Sequence, residues 1–375
     1  LLGFKSNIRP IDKYSFFHNW GLSFILKKMK IKDNDTFTLD KFIEESLYNK
    51  TSGYYMKKNP FGKKGDFITS PNISVLFSEM IAIWVVSFWQ NLGCPEKFNL
   101  IELGAGDGEM MKILVNTFDK FPIFKNSCRI KILEKSKLLK KKQKVNINKK
   151  NIQWLNDLSE LDNLPCIFLA NEFFDALPIK QFIKKKGEWF ERYVRFFNNK
   201  FEYFDLPFDI EKFENKIKFK ITKQQNFIEY SPQSTEYLKI INNKIKRNNG
   251  GILIIDYAYI DKKMKNTLQA VSKHKYCDVL EGFGNSDITY NLSFNLINRI
   301  VKELSSLTSI NTTQGEFLTK LGILERAEIL SKKMLFSEKA DIYFRIKRLI
   351  DKNQMGELFK VMLITTHKNK FKLGF

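Results

Sequence analysis

Cysteine and histidine are scarce in this chain of 375 residues. The four cysteines, Cys94, Cys128, Cys166 and Cys277, never fall at C-x-x-C spacing, and His18, His274 and His367 have no ligand-type neighbour at metal spacing. No metal centre and no disulfide framework are expected, and a reducing compartment fits. Nor does any uninterrupted apolar run approach the ~20 residues that cross a bilayer, so no membrane span is expected. Acidic residues are in deficit: 41 Asp and Glu stand against 63 Lys and Arg, a net charge of +22. Hydrophobic residues make up 43% and aromatics 14%, which excludes wholesale disorder. The length suits two domains, or one with large insertions. The surplus charge raises the question of nucleic acid or a membrane surface. Heavy use of Lys, Asn, Ile and Phe is also what AT-rich codons produce, so part of the charge is expected to reflect base composition.

Residues 1–28 carry Lys5, Arg9, Lys13, Lys27 and Lys28 against Asp12, without an apolar stretch of signal-peptide length. We read residues 1–35 as an extension outside the folded body, with Met29 as the natural start; a transit peptide is the alternative. Thr38 is placed to cap a helix over 39–47 with Leu39, Phe42, Ile43 and Leu47 on one face. Ser70 and Pro71 then give a helix start, and apolar residues from Ile73 to Phe88 recur at three- and four-residue steps, predicting one long amphipathic helix. Beyond it the pattern becomes strand, glycine turn, helix, strand. Short apolar runs at 98–103, 130–134, 152–155, 166–171 and 252–257 predict a doubly wound, mostly parallel α/β sheet. Alternating segments at 189–194 and 200–204 predict a β-hairpin insertion.

Glu102-Leu-Gly104-Ala105-Gly106-Asp-Gly108 is the most informative stretch. A dinucleotide fold wants G-x-G-x-x-G, whereas the third position here is Glu109, and carboxylates at that helix start oppose a pyrophosphate. S-adenosylmethionine carries no phosphate, and its amino-acid end bears an ammonium beside a sulfonium, which Glu102 and Asp107 suit. Gly104, Ala105 and Gly106 would let the backbone approach this cofactor. Glu134, after the second strand, is placed to accept both ribose hydroxyls. Asp157 would take the adenine amino group, and Asn171 would lie beside the methionine moiety. All gather at the carboxyl ends of the strands.

From about Thr38 onward the sequence resembles the MidA family, class I methyltransferase-like proteins whose mitochondrial members assist respiratory complex I assembly. The matching segments are Gly53-Tyr-Tyr, Pro60-Phe-Gly-Lys-Lys-Gly-Asp-Phe-Ile-Thr-Ser-Pro71, Glu102-Leu-Gly-Ala-Gly106, and Ala170-Asn-Glu-Phe-Phe-Asp-Ala-Leu-Pro178. They continue with Thr267-Leu-Gln-Ala-Val271 and His274, Gln314-Gly-Glu-Phe-Leu318, and Met355-Gly-Glu-Leu-Phe-Lys-Val361. The resemblance implies S-adenosylmethionine as cofactor, Ser70 and Pro71 among the cofactor-binding residues, and symmetric dimethylation of a protein arginine, in mitochondrial members on a complex I subunit. Asn72, Asp107, Ala258, Asn291 and Ser293 depart from the family pattern.

If the acceptor is a guanidinium, carboxylates must hold it and take its proton. Glu172 and Asp175 are the candidates, followed by Asp66. Two other readings stand beside this one. RNA binding or RNA methylation is suggested by Lys135, Lys137, Lys140, Lys141, Lys142 and Lys144. Against it, Asn171-Glu-Phe-Phe174 lacks both prolines of the N-P-P-[YF] loop used on base amino groups. A non-catalytic assembly factor that keeps the cofactor pocket is the other. The expected partner is a protein substrate in a bacterial cytoplasm, with the mitochondrial matrix as alternative. The expected organisation is an N-terminal helical region over 36–95 and a cofactor core over 96–180, 250–260 and 355–368. A β-rich insertion over 181–249 and a mostly helical insertion over 261–354 complete it, the latter as a substrate lobe.

Overall fold

In a computed structural model of the chain, residues 31–58, 60, 62, 69–304 and 307–375 are described. The extension over 1–30 and the candidate Asp66 lie outside them. The strands in chain order are β1 (Thr36–Thr38), β2 (Phe98–Leu103), β3 (Cys128–Leu133), β4 (Ile152–Leu155), β5 (Cys166–Asn171), β6 (Lys180–Lys185), β7 (Glu188–Phe197) and β8 (Lys200–Pro207). After them come β9 (Phe227–Tyr230), β10 (Gly250–Tyr259), β11 (Gln269–Ser272), β12 (Lys275–Cys277), β13 (Asp287–Thr289), β14 (Leu292–Ser293), β15 (Leu307–Thr313) and β16 (Phe359–Thr366).

The central sheet runs β15-β16-β10-β5-β2-β3-β4, with the two-residue β14 joining β10. β4, β3, β2, β5 and β10 are mutually parallel. β16 is antiparallel to both β10 and β15, so the last strand of the chain slots between its two predecessors in the sheet. Strand order reverses between β2 and β5, which opens a crevice at their carboxyl ends. Both faces are buried. Leu100, Ile167, Leu169, Leu253 and Val361 pack on one side; their neighbours Ile101, Phe168, Ala170, Ile254 and Met362 pack on the other. That two-sided burial is why these strands read as continuous apolar runs.

Two helical expectations need correction. The long helix does not start at Ser70: a single turn, Ser70–Ile73, follows Thr69, and Ser74 is extended. A new helix, Val75–Asn91, then begins with the Ser74 hydroxyl accepting from Leu76 N. This helix is buried nearly all round, with Ser78, Ala82, Val86 and Trp89 inside as well as the expected stripe. Helix Leu39–Tyr48 forms where expected, but the Thr38 side chain makes no capping bond.

The second sheet is antiparallel, β1-β7-β6-β9 with β8 on β7, and contains the expected hairpin. It also takes in the N-terminal segment: β1 pairs with β7, and Asn34 and Asp35 exchange backbone bonds with Phe196. Residues 31–35 are therefore part of the folded body. The expected mostly helical stretch over 261–354 holds a small β12-β11-β13 sheet and β15, a strand of the central sheet. The small sheet and Tyr237 of helix Pro232–Asn248 line the cavity at the carboxyl ends of β2, β3, β5 and β10.

Candidate active site

The crevice is a cavity of about 270 Å³. Gly104 and Gly106 form its floor after β2, and Leu133, Glu134, Lys135 and Ser136 its wall after β3. Glu172, Phe173 and Asp175 come from the turn after β5, and Tyr257 from β10. Tyr48 and Tyr55 close it from the N-terminal side, and Gln269, Asp287 and Thr289 from the small sheet.

The glycine turn is built as its sequence suggests. Gly104, Gly106 and Gly108 all adopt positive φ, of 65°, 54° and 84°. A Cβ at Gly104 would stand 2.8 Å from the Phe173 ring. Gly104 N donates to the Leu133 carbonyl (2.9 Å), tying the turn to β3. Asp107 is spent locally: its carboxylate accepts from Glu109 N (3.2 Å) at the start of helix Glu109–Phe118.

Glu134 lines the cleft with its carboxylate ordered by two donors, Ser136 N (2.8 Å) and Gln143 Nε2 (3.0 Å). Gln143 escaped the sequence reading. It is fully buried on helix Lys137–Ile147, donates also to the Gly106 carbonyl (2.9 Å), and accepts from Trp154 Nε1 (2.8 Å). A polar residue midway between Leu139 and Ile147 on an apolar helix face was the available signal.

Several expected residues stand apart from the cavity lining. Glu102 is buried beneath the turn, and its Oε2 has no hydrogen-bond partner among the described residues. Burial first, then Asp107 and Glu134, pushes its carboxyl up to about 8. Ala105 and Asn171 support the floor, and Asn171 Oδ1 is also without a partner. Pro71 is buried, and Ser70 is fully buried with its N donating to Glu172 Oε1 (3.4 Å), so Thr69 faces the cleft instead. Asp157 is exposed and capped into a short turn: its carboxylate accepts from Ser159 N (2.7 Å), while Glu160 reaches back to Asp157 N (3.0 Å). The D-x-x-E spacing is that of a capping box, so the Asp157 carboxylate is taken up locally.

The turn after β5 concentrates carboxylates. Glu172 adopts a left-handed backbone (φ 52°) and accepts from Asn171 Nδ2 (3.2 Å). Its carboxyl is pushed up to about 7, first by burial and further by Asp287. Asp256 Oδ2 accepts from Phe174 N (3.0 Å) and Asp175 N (3.4 Å), and Oδ1 from Tyr257 N (2.9 Å), so it shapes the turn. Asp175 and Asp256 are both held well above the usual carboxylate range by burial, Asp175 also by the Asp256 charge. Tyr55 Oη donates to Asp287 Oδ1 (2.6 Å) and stacks on Tyr48, whose hydroxyl donates to the Ala176 carbonyl (2.9 Å). Among the described residues, the cleft lining thus carries Glu134, Glu172, Asp175 and Asp287 against one lysine, Lys135. The lysines of helix Lys137–Ile147 are partly engaged: Lys140 donates to Asn156 (2.8 Å), and Lys144 sits 5.2 Å from the Trp154 ring centre. Among the described residues, no cluster of His, Cys, Asp and Glu could hold a metal ion.

A parallel sheet of this order, a reversed last strand between its fifth and sixth, and a glycine turn at the crevice define a class I methyltransferase fold. The chain belongs to the family described as "Putative S-adenosyl-L-methionine-dependent methyltransferase", whose model matches residues 80–313, in keeping with the resemblance read from the sequence. It is 28% identical over 371 residues to the mitochondrial protein arginine methyltransferase NDUFAF7 of Xenopus tropicalis, covering 88% of this chain and 83% of that one. The human protein of the same name is 28% identical, covering 90% and 82%. The Caenorhabditis elegans homolog is 30% identical, covering 79% and 75%. In fold, the chain matches a protein of Burkholderia thailandensis solved with S-adenosyl-homocysteine bound, at a TM-score of 0.76 and 20% identity, covering 98% and 97% of the two chains.

The donor set fits S-adenosylmethionine. Glycines at positive φ clear space at the crevice floor, an unpartnered buried carboxylate oxygen at Glu102 suits an ammonium, and Glu134 has acceptor capacity left for hydroxyls.

Proposed function

We propose that this methyltransferase acts on an arginine side chain of a protein, with Glu172 and Asp175 holding the guanidinium. The observation that carries the reading is the acidic cleft in a chain of net charge +22, where, among the described residues, four carboxylates face one lysine. Buried carboxyls held above their ordinary range are short of a cation, and a guanidinium supplies one with planar, bidentate geometry. The names of the curated relatives support the same acceptor.

S-adenosylmethionine supplies the activated methyl group; the chain supplies alignment and exclusion of water. Glu134 and the glycine turn are the cofactor's proposed contacts, with Glu102 below and Asn171 beside it. Glu172, with a carboxyl value of about 7, is suited to accept the proton that the acceptor nitrogen gives up. Asp175 is the second arm of the clamp, positioned by Asp256. The acceptor implied by the family resemblance is a respiratory complex I subunit. The compartment we propose is a reducing one: composition suits a bacterial cytoplasm, and the mitochondrial relatives support the matrix as the alternative.

The test is incubation of the purified chain with tritiated S-adenosylmethionine and lysate of a deletion strain, followed by acid hydrolysis. Methylarginine in a discrete protein band is the expected result. Label recovered in RNA, or none despite bound cofactor, would overturn the arginine reading in favour of RNA methylation or a non-catalytic assembly role.

A further inference from the structure

The two helices Ile323–Ser331 and Phe336–Ile350 form a hairpin that packs by one face on neighbouring helices, Ile323–Ser331 on Val75–Asn91 and Phe336–Ile350 on Gln314–Lys320 and Met355–Leu358. Phe336–Ile350 buries Ile346 and Leu349 and half-buries Ile342. Phe336, Ala340 and Phe344, at four-residue steps, lie on the opposite face. That face is solvent-exposed: Phe336 is 88% and Phe344 71% exposed, and Leu335 is 72% exposed at the helix entrance. Every residue over 332–341 is exposed, so the hairpin turn projects as a tip. Scattered exposed apolar residues are ordinary, but consecutive Met334-Leu335-Phe336 continuing into an outward aromatic face form a patch.

The patch is strongly basic. Residues 332–352 hold seven Lys and Arg against three acids. Two of those acids are used internally: Asp341 pairs with Arg345 (2.7 Å), and Glu338 accepts from Leu335 N (3.0 Å). Lys332 and Lys333 immediately precede the apolar tip, Lys339 follows one turn behind it, and Lys347 shares the Phe336–Phe344 face.

We propose that this tip and helix face dock on an anionic lipid bilayer surface. Apolar side chains at the outermost point, with ammonium groups about a turn behind, match the depth order of acyl boundary and phosphate layer. Each cation near such a surface adds attraction, and the +22 of the whole chain steers approach over a longer range. No helix among the described residues is long and apolar enough to cross a membrane, so the contact is peripheral. A soluble partner would be expected to meet a groove or flat face; a projecting tip flanked by lysines suits a soft anionic surface better. This inference does not depend on the arginine acceptor.

The full-length chain is tested by cosedimentation with phosphatidylcholine vesicles, with and without phosphatidylglycerol. Binding to the anionic vesicles is expected, with affinity about tenfold or more weaker on phosphatidylcholine alone. The triple variant L335S/F336S/F344S and the double variant K332E/K333E should each lose about tenfold in affinity. Both should keep the wild-type circular dichroism and S-adenosyl-homocysteine affinity, since all five positions are exposed. Absence of wild-type binding to anionic vesicles would give the face to a protein partner and overturn the proposal. So would full binding by the triple variant, or a wild-type dimer in solution that this variant dissolves.

Discussion

Gln143 Nε2 lies 3.0 Å from Glu134 Oε2 and 2.9 Å from the Gly106 carbonyl, so one buried amide joins the floor of the cleft to its wall. Replacing Gln143 by Leu keeps the volume and strands three partners, because Trp154 Nε1 also loses its acceptor. An unsatisfied buried polar group costs about 1–3 kcal/mol. We expect Q143L to fold with a lower Tm and to bind S-adenosyl-homocysteine about tenfold or more weakly, read by isothermal titration calorimetry. Q143E sets a carboxylate against Glu134 and should be worse. Wild-type affinity in a folded Q143L protein would remove Gln143 from the cofactor site.

The raised carboxyls give stability a pH dependence with a definite sign. Glu102 titrates at about 8 in the fold against an ordinary 4.5, so the folded chain binds this proton more tightly than the unfolded one. Its contribution is full below about 4.5, declines as pH rises through 8, and is lost above. Glu172, Asp175 and Asp256 act in the same direction. The apo protein should therefore lose Tm between pH 5 and 8, with a Glu102 share on the order of a few kcal/mol. E102Q should flatten the decline. If the cofactor's ammonium sits against Glu102, binding at pH 7 should also release protons, seen as buffer-dependent calorimetric enthalpies. A slope unchanged by E102Q would count against the buried proton.

Local signals made the centre of this fold legible. β2, the glycines at 104, 106 and 108, and Glu134 form a strand, turn and strand end whose residue types each demand that geometry. The acidic turn after β5 follows a continuous apolar run and was equally readable. β15 was not: Leu-Thr-Ser-Ile-Asn-Thr-Thr is polar because it is an edge strand with half-buried faces, and nothing local separates it from a loop. Asp287, Tyr48 and Tyr55 reach the cleft through contacts more than a hundred residues apart in sequence, as with Tyr55 to Asp287. Periodicity carries no information about such meetings. Asp157 follows the third strand as an adenine-binding residue would, but in the fold its carboxylate is taken up by Ser159 N in a capping box.

Gly104 tests how tightly the cleft floor is drawn. Alanine there would hold φ at 65° and set its Cβ 2.8 Å from the Phe173 ring. Gly187 is a control, with φ of 92° and open space where a Cβ would go. G187A should cost only backbone strain, about 1–2 kcal/mol. G104A should cost more and also weaken S-adenosyl-homocysteine binding, because Phe173 lines the same cleft. Pairing G104A with F173L should recover part of the loss. Equal costs for G104A and G187A would mean that the ring moves aside freely.

Glu172 and Asp256 differ in what they touch, and their variants should separate. Glu172 lines the cleft, whereas Asp256 is fully buried and holds the backbone of the turn through Phe174 N, Asp175 N and Tyr257 N. E172Q keeps the shape and removes the proton acceptor, so methyl transfer should fall by about 10²–10⁴-fold with S-adenosyl-homocysteine affinity unchanged. Its residual activity should lose the wild-type pH dependence near 7, where Glu172 titrates. D256N leaves one amide hydrogen-bond donor facing backbone N–H donors, so Tm and transfer should fall together. Full transfer by E172Q on a verified protein acceptor would move the base to Asp175 or beyond the described residues.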